Sequence, residues 1–326
     1  MESTPRLGFL PVEERFRLRK EKIYRVMLFR ELGSYPRGTI HVPNGFFHAD
    51  DEIVFSVVYG NDWNQLDPDL PYSEFDWASP EEIHLLASIL LCEKRDDAYI
   101  SFYPLVNVSL NLDADKIDLS TNDAVMSVRT LLLETAKSSD KHYARDSILS
   151  CLGKPFSLIA PERYNLDRLQ LYWDSLSPSD YVLIRGVYSL IKCDMLCRHY
   201  EFWEEALLTL YIALEASFQI VLEVLAAEGI PEPNAHDAAV WLHEHFDKPF
   251  GISAPDELEK YFEEFYEERI MTLHPSNRFG EYPFSPTMHD DVNHLRRALR
   301  EIFAYIVSGS HGPDFEEDLH RNVRSQ

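Results

Sequence analysis

From Trp203 to Gly229 the chain reads WEEALLTLYIALEASFQIVLEVLAAEG. Trp203, Ala206, Leu207, Leu210, Leu214, Ser217, Val221 and Leu225 recur at the three- and four-residue spacing that gathers side chains on one side of an α-helix. The stripe lasts about seven turns and stops at Gly229, a residue suited to the left-handed backbone that closes helices. A helix this long with one apolar face needs covering, so its neighbours in sequence should be helices too.

They read that way. Ser177-Pro178-Ser179-Asp180 has the chemistry of a helix start, and Ile184, Val187, Tyr188 and Ile191 follow at helical spacing. No Gly or Pro separates this segment from the next. As one rod the two would span about 75 Å, too long for a compact domain, so a turn is expected near His199 to Phe202. Beyond Gly229 come a short helix from Asn234 to Phe246 and another from Asp256 to Leu273. A last helix, opened by Thr287, carries Val292, Leu295, Leu299, Ile302 and Ile306. Residues 309–326 read as a polar tail of the kind that stays mobile.

The first half mixes signals. Pro11 to Leu32 reads as a helix with Gly33 as its C-terminal cap. Ile53 to Tyr59 and Ala98 to Tyr103 are β-branched and aromatic, and Val106 to Leu112 alternates apolar with polar, so all three read as strands. Ser79-Pro80-Glu81-Glu82 starts a helix, with Ser as N-cap, Pro in the first turn and Glu three residues on. Ile83, Leu86, Ala87, Leu90 and Leu91 form its apolar stripe, and Thr121 to Ala136 is a further helix. The expected class is therefore α+β overall. A mixed N-terminal domain of unknown fold occupies 1–153 and a connecting segment 154–176, where Leu166, Leu169 and Trp173 suggest a docked helix. An all-α bundle fills 177–308, and the polar tail 309–326.

Composition narrows the function. The 326 residues are 45% hydrophobic and 13% aromatic, ordinary for a globular chain and too apolar for a disordered one. No run of apolar residues reaches the roughly 20 needed to span a bilayer, and no signal peptide is visible, so no membrane partner is expected. The four cysteines, Cys92, Cys151, Cys193 and Cys197, are sparse, as in a reduced cytoplasmic chain. Cys193 and Cys197 share a helix face but lack metal-ligand company. The net charge of −24 excludes non-specific coating of DNA, which depends on Lys and Arg displacing counterions; nucleic acid could be handled only at a local site.

One such site is legible. In the helix ending at Leu273, Leu258, Tyr261, Phe262 and Phe265 form the apolar stripe, and at 100° per residue Arg269 falls in its middle. An arginine there needs a partner, since it cannot neutralise itself by losing its proton. His274 follows five residues later, and Pro275 ends the helix at it. An imidazole thus stands at a helix terminus beside an inward guanidinium.

The pattern Glu268-Arg269-Ile270-Met271-Thr272-Leu273-His274-Pro275 resembles the Arg and His motif of HEPN domains. The long helix with Ala213-Leu214-Glu215-Ala216, the Arg278-Phe279-Gly280 loop and the closing amphipathic helix are similar to the Apea-like HEPN subgroup. The resemblance covers roughly residues 177 to 307. It implies a helical bundle that pairs as a homodimer, with both motifs lining one cleft. It also implies metal-independent RNA cleavage, without cofactor, in a stress or defence role. His274 would exchange protons with the RNA, and Arg269 would hold the phosphate. Arg278 would extend the phosphate-binding surface. Ile270 departs from the polar residue that active members often carry after the arginine. Many HEPN domains are non-catalytic modules that bind RNA or a protein partner, and that is the second expectation.

A purely structural reading stands beside both: Arg269 pairs with a carboxylate, Glu215 for one, His274 caps the helix, and Arg278 is a solvated loop arginine. Other candidates are weaker. His243 and His245 are two apart and point away from each other, so no zinc helix is expected. His236-Asp237 and His289-Asp290 lack the further ligands of metal phosphohydrolases. Asp113, Asp115 and Asp118 lack the glycine of a calcium loop.

Overall fold

A computed structural model of the chain describes residues 22–30, 33–61, 78–94, 102, 104–110, 117–138, 163–253, 267, 269–274 and 289–325. These fall into two compact units, and the chain passes from one to the other within the helix Pro80–Leu90. The protein is α+β: an antiparallel sheet toward the N-terminus and a mostly helical C-terminal region.

The first unit is built on five strands, β1 (Lys22–Phe29), β2 (Gly38–Val42), β3 (Gly45–Ala49), β4 (Val54–Asn61) and β5 (Pro104–Leu110). Their order is β2-β3-β4-β1-β5, every neighbouring pair antiparallel. Chain neighbours β2, β3 and β4 form a meander, and β1 lies between β4 and β5, with Val26 opposite Val57 on one side and Val108 on the other. β1 corrects the helix expected over Pro11 to Leu32 within its described part. Tyr24, Val26 and Leu28 join one core cluster while Met27 and Phe29 are fully buried too. A strand buried on both faces reads as a continuous apolar run, which periodicity cannot tell from a buried helix. Gly33 therefore caps no helix; its Cα lies so close to the Tyr35 ring that a Cβ would stand 2.3 Å from it.

Helix α1 (Pro80–Leu90) starts as its sequence suggests. The Ser79 hydroxyl accepts from the Glu82 N–H at 3.2 Å, and the Glu82 carboxylate accepts from the Ser79 N–H at 2.7 Å. The same carboxylate takes the Arg25 guanidinium of β1 at 3.0 Å, both side chains being almost wholly buried. Helix α2 (Asn122–Ser138) packs Ala124, Val125, Val128 and Leu132 on Val26, Phe46, Phe55 and Val57 of the sheet. The β2–β3 turn is Pro43-Asn44, which sequence reading did not separate. Gly45 after it admits no side chain, since a Cβ there would stand 2.1 Å from the Val57 carbonyl oxygen.

The second unit is helical. A 3-10 turn (Leu166–Arg168) leads into α3 (Leu169–Ser175), the docked helix, which buries Tyr172 and Trp173. Then come α4 (Tyr181–Leu196), α5 (Trp203–Ala227), α6 (Ala235–Leu242), α7 (His289–Ser308) and α8 (Pro313–Ser325). The turn between α4 and α5, argued from rod length alone, falls at residues 197–202. α5 packs mainly on α4 and also on α7 and α6. Helical residues 269–273 belong to the segment expected at Asp256 to Leu273; its earlier part, and Ala98 to Ser101 with Tyr103, lie outside the described residues.

Two expectations change here. The tail is helical: Pro313 opens α8, Asp314 and Glu316 supply negative charge to its first turn, and Phe315 is buried against the His311 ring at 3.7 Å. And α5 is, among the described residues, long and apolar enough to cross a membrane, an 18-residue stretch of it having mean hydropathy 1.7. Ala206, Leu207, Leu210, Ala213, Leu214 and Val221 spend that apolarity on packing within the unit.

The second unit also takes in residues 33–36 and 86–94, which sequence order alone would leave in the first half. Asn165 N–H donates to the Cys92 carbonyl at 2.8 Å, Lys94 N–H to the Arg163 carbonyl at 2.7 Å, and the Tyr164 hydroxyl to the Ser34 carbonyl at 2.7 Å.

Candidate functional site

Arg269 lies on the last helical turn before His274, and its Nη1 donates to Glu215 Oε2 of α5 at 2.8 Å. The side chain keeps 35% of its exposure and Glu215 keeps 64%. Arg269 is thus partly exposed, and its charge is met within the chain by the carboxylate that the structural reading named; the stripe at Leu258 to Phe265 lies outside the described residues. His274 donates its N–H to the Ile270 carbonyl at 3.0 Å, closing the helix, and its residue is exposed. Arg278 lies outside the described residues.

The strongest electrostatic feature of the helical unit is elsewhere. Arg296 of α7 makes a fork on Asp194 of α4, with Nε–Oδ1 2.9 Å and Nη2–Oδ2 2.8 Å, and its third nitrogen bonds Glu93. Arg300, one turn on, donates to the Glu93 carbonyl and stands 3.8 Å from its carboxylate. All four side chains are almost wholly buried, two positive and two negative. Burial opposes the Arg296 charge, but Asp194 and Glu93 outweigh it and hold the guanidinium well above its usual range. This cluster ties α4, α7 and the segment after α1 together. It is saturated by its own members, so it serves the fold.

A small cavity of about 50 Å³ opens beside it, lined by Cys92, Arg168, Tyr172, Arg300, Tyr305 and His311 among others. That is room for a few waters and not for a nucleotide. Arg168 is already committed to the loop before α8, donating to the His311 carbonyl at 2.6 Å and the Ser310 hydroxyl at 2.8 Å. Burial pushes the Cys92 thiol up to about 12, against the weaker pull of Arg168 and Arg300, so it is no nucleophile near neutral pH. A wider groove of about 490 Å³, walled by Phe246, Phe250 and Ile252, is rimmed by Asp247 and Asp318. Arg321 lines it too, and its charge is met by Glu317 and Asp318.

The remaining sequence candidates have local roles. His245 Nδ1 contacts the Trp241 carbonyl at 2.7 Å, Glu244 pairs with Lys248, and His243 stands 3.6 Å from Asp247. Asp237 completes a capping box with Asn234. Asp118 accepts from the Ser120 N–H at 2.9 Å; Asp113 and Asp115 lie outside the described residues. Among the described residues no group of three or more His, Cys, Asp or Glu side chains is placed to hold a metal ion.

Comparison with protein-family models, with curated proteins and with solved structures finds no match.

Proposed function

We propose that residues 177–308 form a HEPN-like module that acts without catalysis, as a homodimeric scaffold for a protein partner. One observation carries this reading: the Arg269 guanidinium, which a ribonuclease of this type would aim at phosphate, is engaged by Glu215 of the same chain at 2.8 Å. The net charge of −24 acts in the same direction, since it weakens attraction for any polyanion. Ile270, apolar where active members often carry a polar side chain, adds to it. In a protein scaffold the pair is a surface contact between the turn of Arg269 and α5 that leaves no free guanidinium for phosphate.

The second reading is a metal-independent endoribonuclease. It is favoured by the exposure of His274 at the helix end and by the third of the Arg269 side chain that stays accessible. In that case His274 would move the proton of the RNA 2′-hydroxyl, and substrate phosphate would have to displace Glu215 from Arg269.

Solution mass and an RNA cleavage assay in EDTA separate the two. The scaffold gives a mass twice the chain's 38.0 kDa and leaves RNA intact. The nuclease gives the same mass and cleaves RNA, with activity lost in His274→Ala. A monomer that leaves RNA intact contradicts both.

A further inference from the structure

Cys193 and Cys197 stand one turn apart at the C-terminal end of α4, their sulfurs 3.7 Å from each other. Cys193 is buried and Cys197 is partly exposed. Cys197 is also where the helix stops: its N–H donates to the Cys193 carbonyl at 2.9 Å, and the chain then turns toward α5. We propose that this pair is a peroxide-oxidisable dithiol that closes to an intrachain disulfide, with Cys197 as the attacking thiol and Cys193 as the resolving one.

The position at the helix end is what permits closure. The sulfurs must approach from 3.7 Å to about 2.05 Å. Along a regular helix, side chains one turn apart have Cβ atoms about 5–6 Å apart, whereas a disulfide needs roughly 3.5–4.5 Å. Two thiols inside a helix therefore cannot join. Cys197 caps the helix, so its peptide can swing by giving up the last bonds of α4, to the Cys193 carbonyl at 2.9 Å and from the Arg198 N–H to the Met195 carbonyl at 3.4 Å. Cys193 stays in place, because Asp194 beside it is clamped by Arg296 at 2.9 and 2.8 Å. Two thiolates on one tetrahedral zinc would also stand about 3.8 Å apart. Among the described residues, however, no third ligand joins them, so the pair stands as a dithiol.

The exposure gradient assigns the roles. Peroxide reaches Cys197 first. Its sulfur attacks one peroxide oxygen, the O–O bond breaks, and the departing hydroxide leaves as water with the thiol proton. Cys197 is then a sulfenic acid and the peroxide has been reduced by two electrons. The Cys193 sulfur attacks the sulfenic sulfur; the S–S bond forms, the S–O bond breaks, and the hydroxyl leaves with the Cys193 proton as a second water. In sum, two thiols and one peroxide give one disulfide and two waters. Burial holds the Cys193 thiol well above the usual range, so it stays protonated and shielded until a sulfenic acid forms next to it. Cys92 does not compete, since it is buried with its thiol donating to the Ser88 carbonyl at 3.2 Å.

The test reads one peptide. Lys192 precedes the pair and Arg198 follows it, so trypsin releases Cys193 to Arg198 as a single fragment. The intact chain is treated with a small excess of hydrogen peroxide, quenched with catalase, alkylated in denaturant and digested. The expected fragment is unalkylated and lighter by two hydrogens, and it becomes doubly alkylated after dithiothreitol. In Cys197→Ser, Cys193 is expected to remain fully alkylatable. A wild-type fragment alkylated on both sulfurs after peroxide overturns the proposal. So does sulfinic acid on Cys197 or a disulfide between chains; neither readout depends on how well a variant folds.

Discussion

The Arg269 guanidinium meets the Glu215 carboxylate at 2.8 Å across 54 residues of chain, on a surface where both side chains remain partly wet. An ion pair in that setting contributes on the order of 0–1 kcal/mol, because water competes for each partner and salt screens the attraction. Its consequence is to meet, within the chain, the charge of the arginine that stands one turn before His274.

Glu215→Gln should therefore change unfolding free energy by less than about 1 kcal/mol while altering charge behaviour. A double-mutant cycle with Arg269→Ala, followed by denaturant unfolding at low and high salt, measures the coupling. A small coupling that fades with salt is expected; one of several kcal/mol would place the pair in a buried site it does not occupy.

The Arg296–Asp194–Glu93 cluster should behave in the opposite way. Asp194→Ala leaves a buried guanidinium with half its partners, and removing one member of such a pair costs about 3–5 kcal/mol. Urea or guanidinium unfolding would show it as a large fall in midpoint, insensitive to salt. A cost below about 1 kcal/mol would mean the cluster is hydrated and loosely held.

Gly186 of α4 is closed to a side chain. A Cβ there would stand 2.5 Å from the Phe303 ring and 3.1 Å from Ala216 Cβ. Phe303 is fully buried and cannot step aside. Gly186→Ala should cost about 1–2 kcal/mol, the strain of overpacking reduced by alanine's better helix propensity. Adding Phe303→Leu should restore part of the loss, and thermal melting of the two variants checks it.

Asp50 should set part of the acid limb of the first unit. Burial alone would raise its carboxyl, but the N–H groups of Glu52 and Ile53 and the His48 imidazole outweigh burial and hold it below the usual range. A carboxyl lowered by folding adds stability that is fully present above the unfolded value, near 3.9, and is lost as pH falls through the folded one. Asp50→Asn should thus lower stability at neutral pH and flatten its fall below about pH 4. Parallel acid limbs for wild type and variant would remove Asp50 from the account.

Capping chemistry was the most legible part of the sequence. Ser79 with Glu82 builds the reciprocal cap its spacing announced, and the α4–α5 turn followed from length alone. β1 was misread because a strand covered on both faces loses the two-residue period that marks strands. The tail was misread because α8 is held by Phe315 against the Phe246 and Phe250 rings, contacts no local pattern displays. The site shows a subtler limit. Helical phase singled out Arg269, yet the same rule applied to α7 puts Arg296 within the stripe of Val292, Leu299 and Phe303, and that arginine is the more deeply buried. Its partners, Asp194 and Glu93, are 102 and 203 residues away, so the pairing itself was invisible before the fold.

The most direct test of the account is whether Arg269 and His274 turn over RNA. Purified chain, incubated in EDTA with end-labelled single-stranded RNA, is predicted to leave the label at full length, in wild type and in His274→Ala alike. Fragments produced by wild type and abolished in both His274→Ala and Arg269→Ala would contradict it.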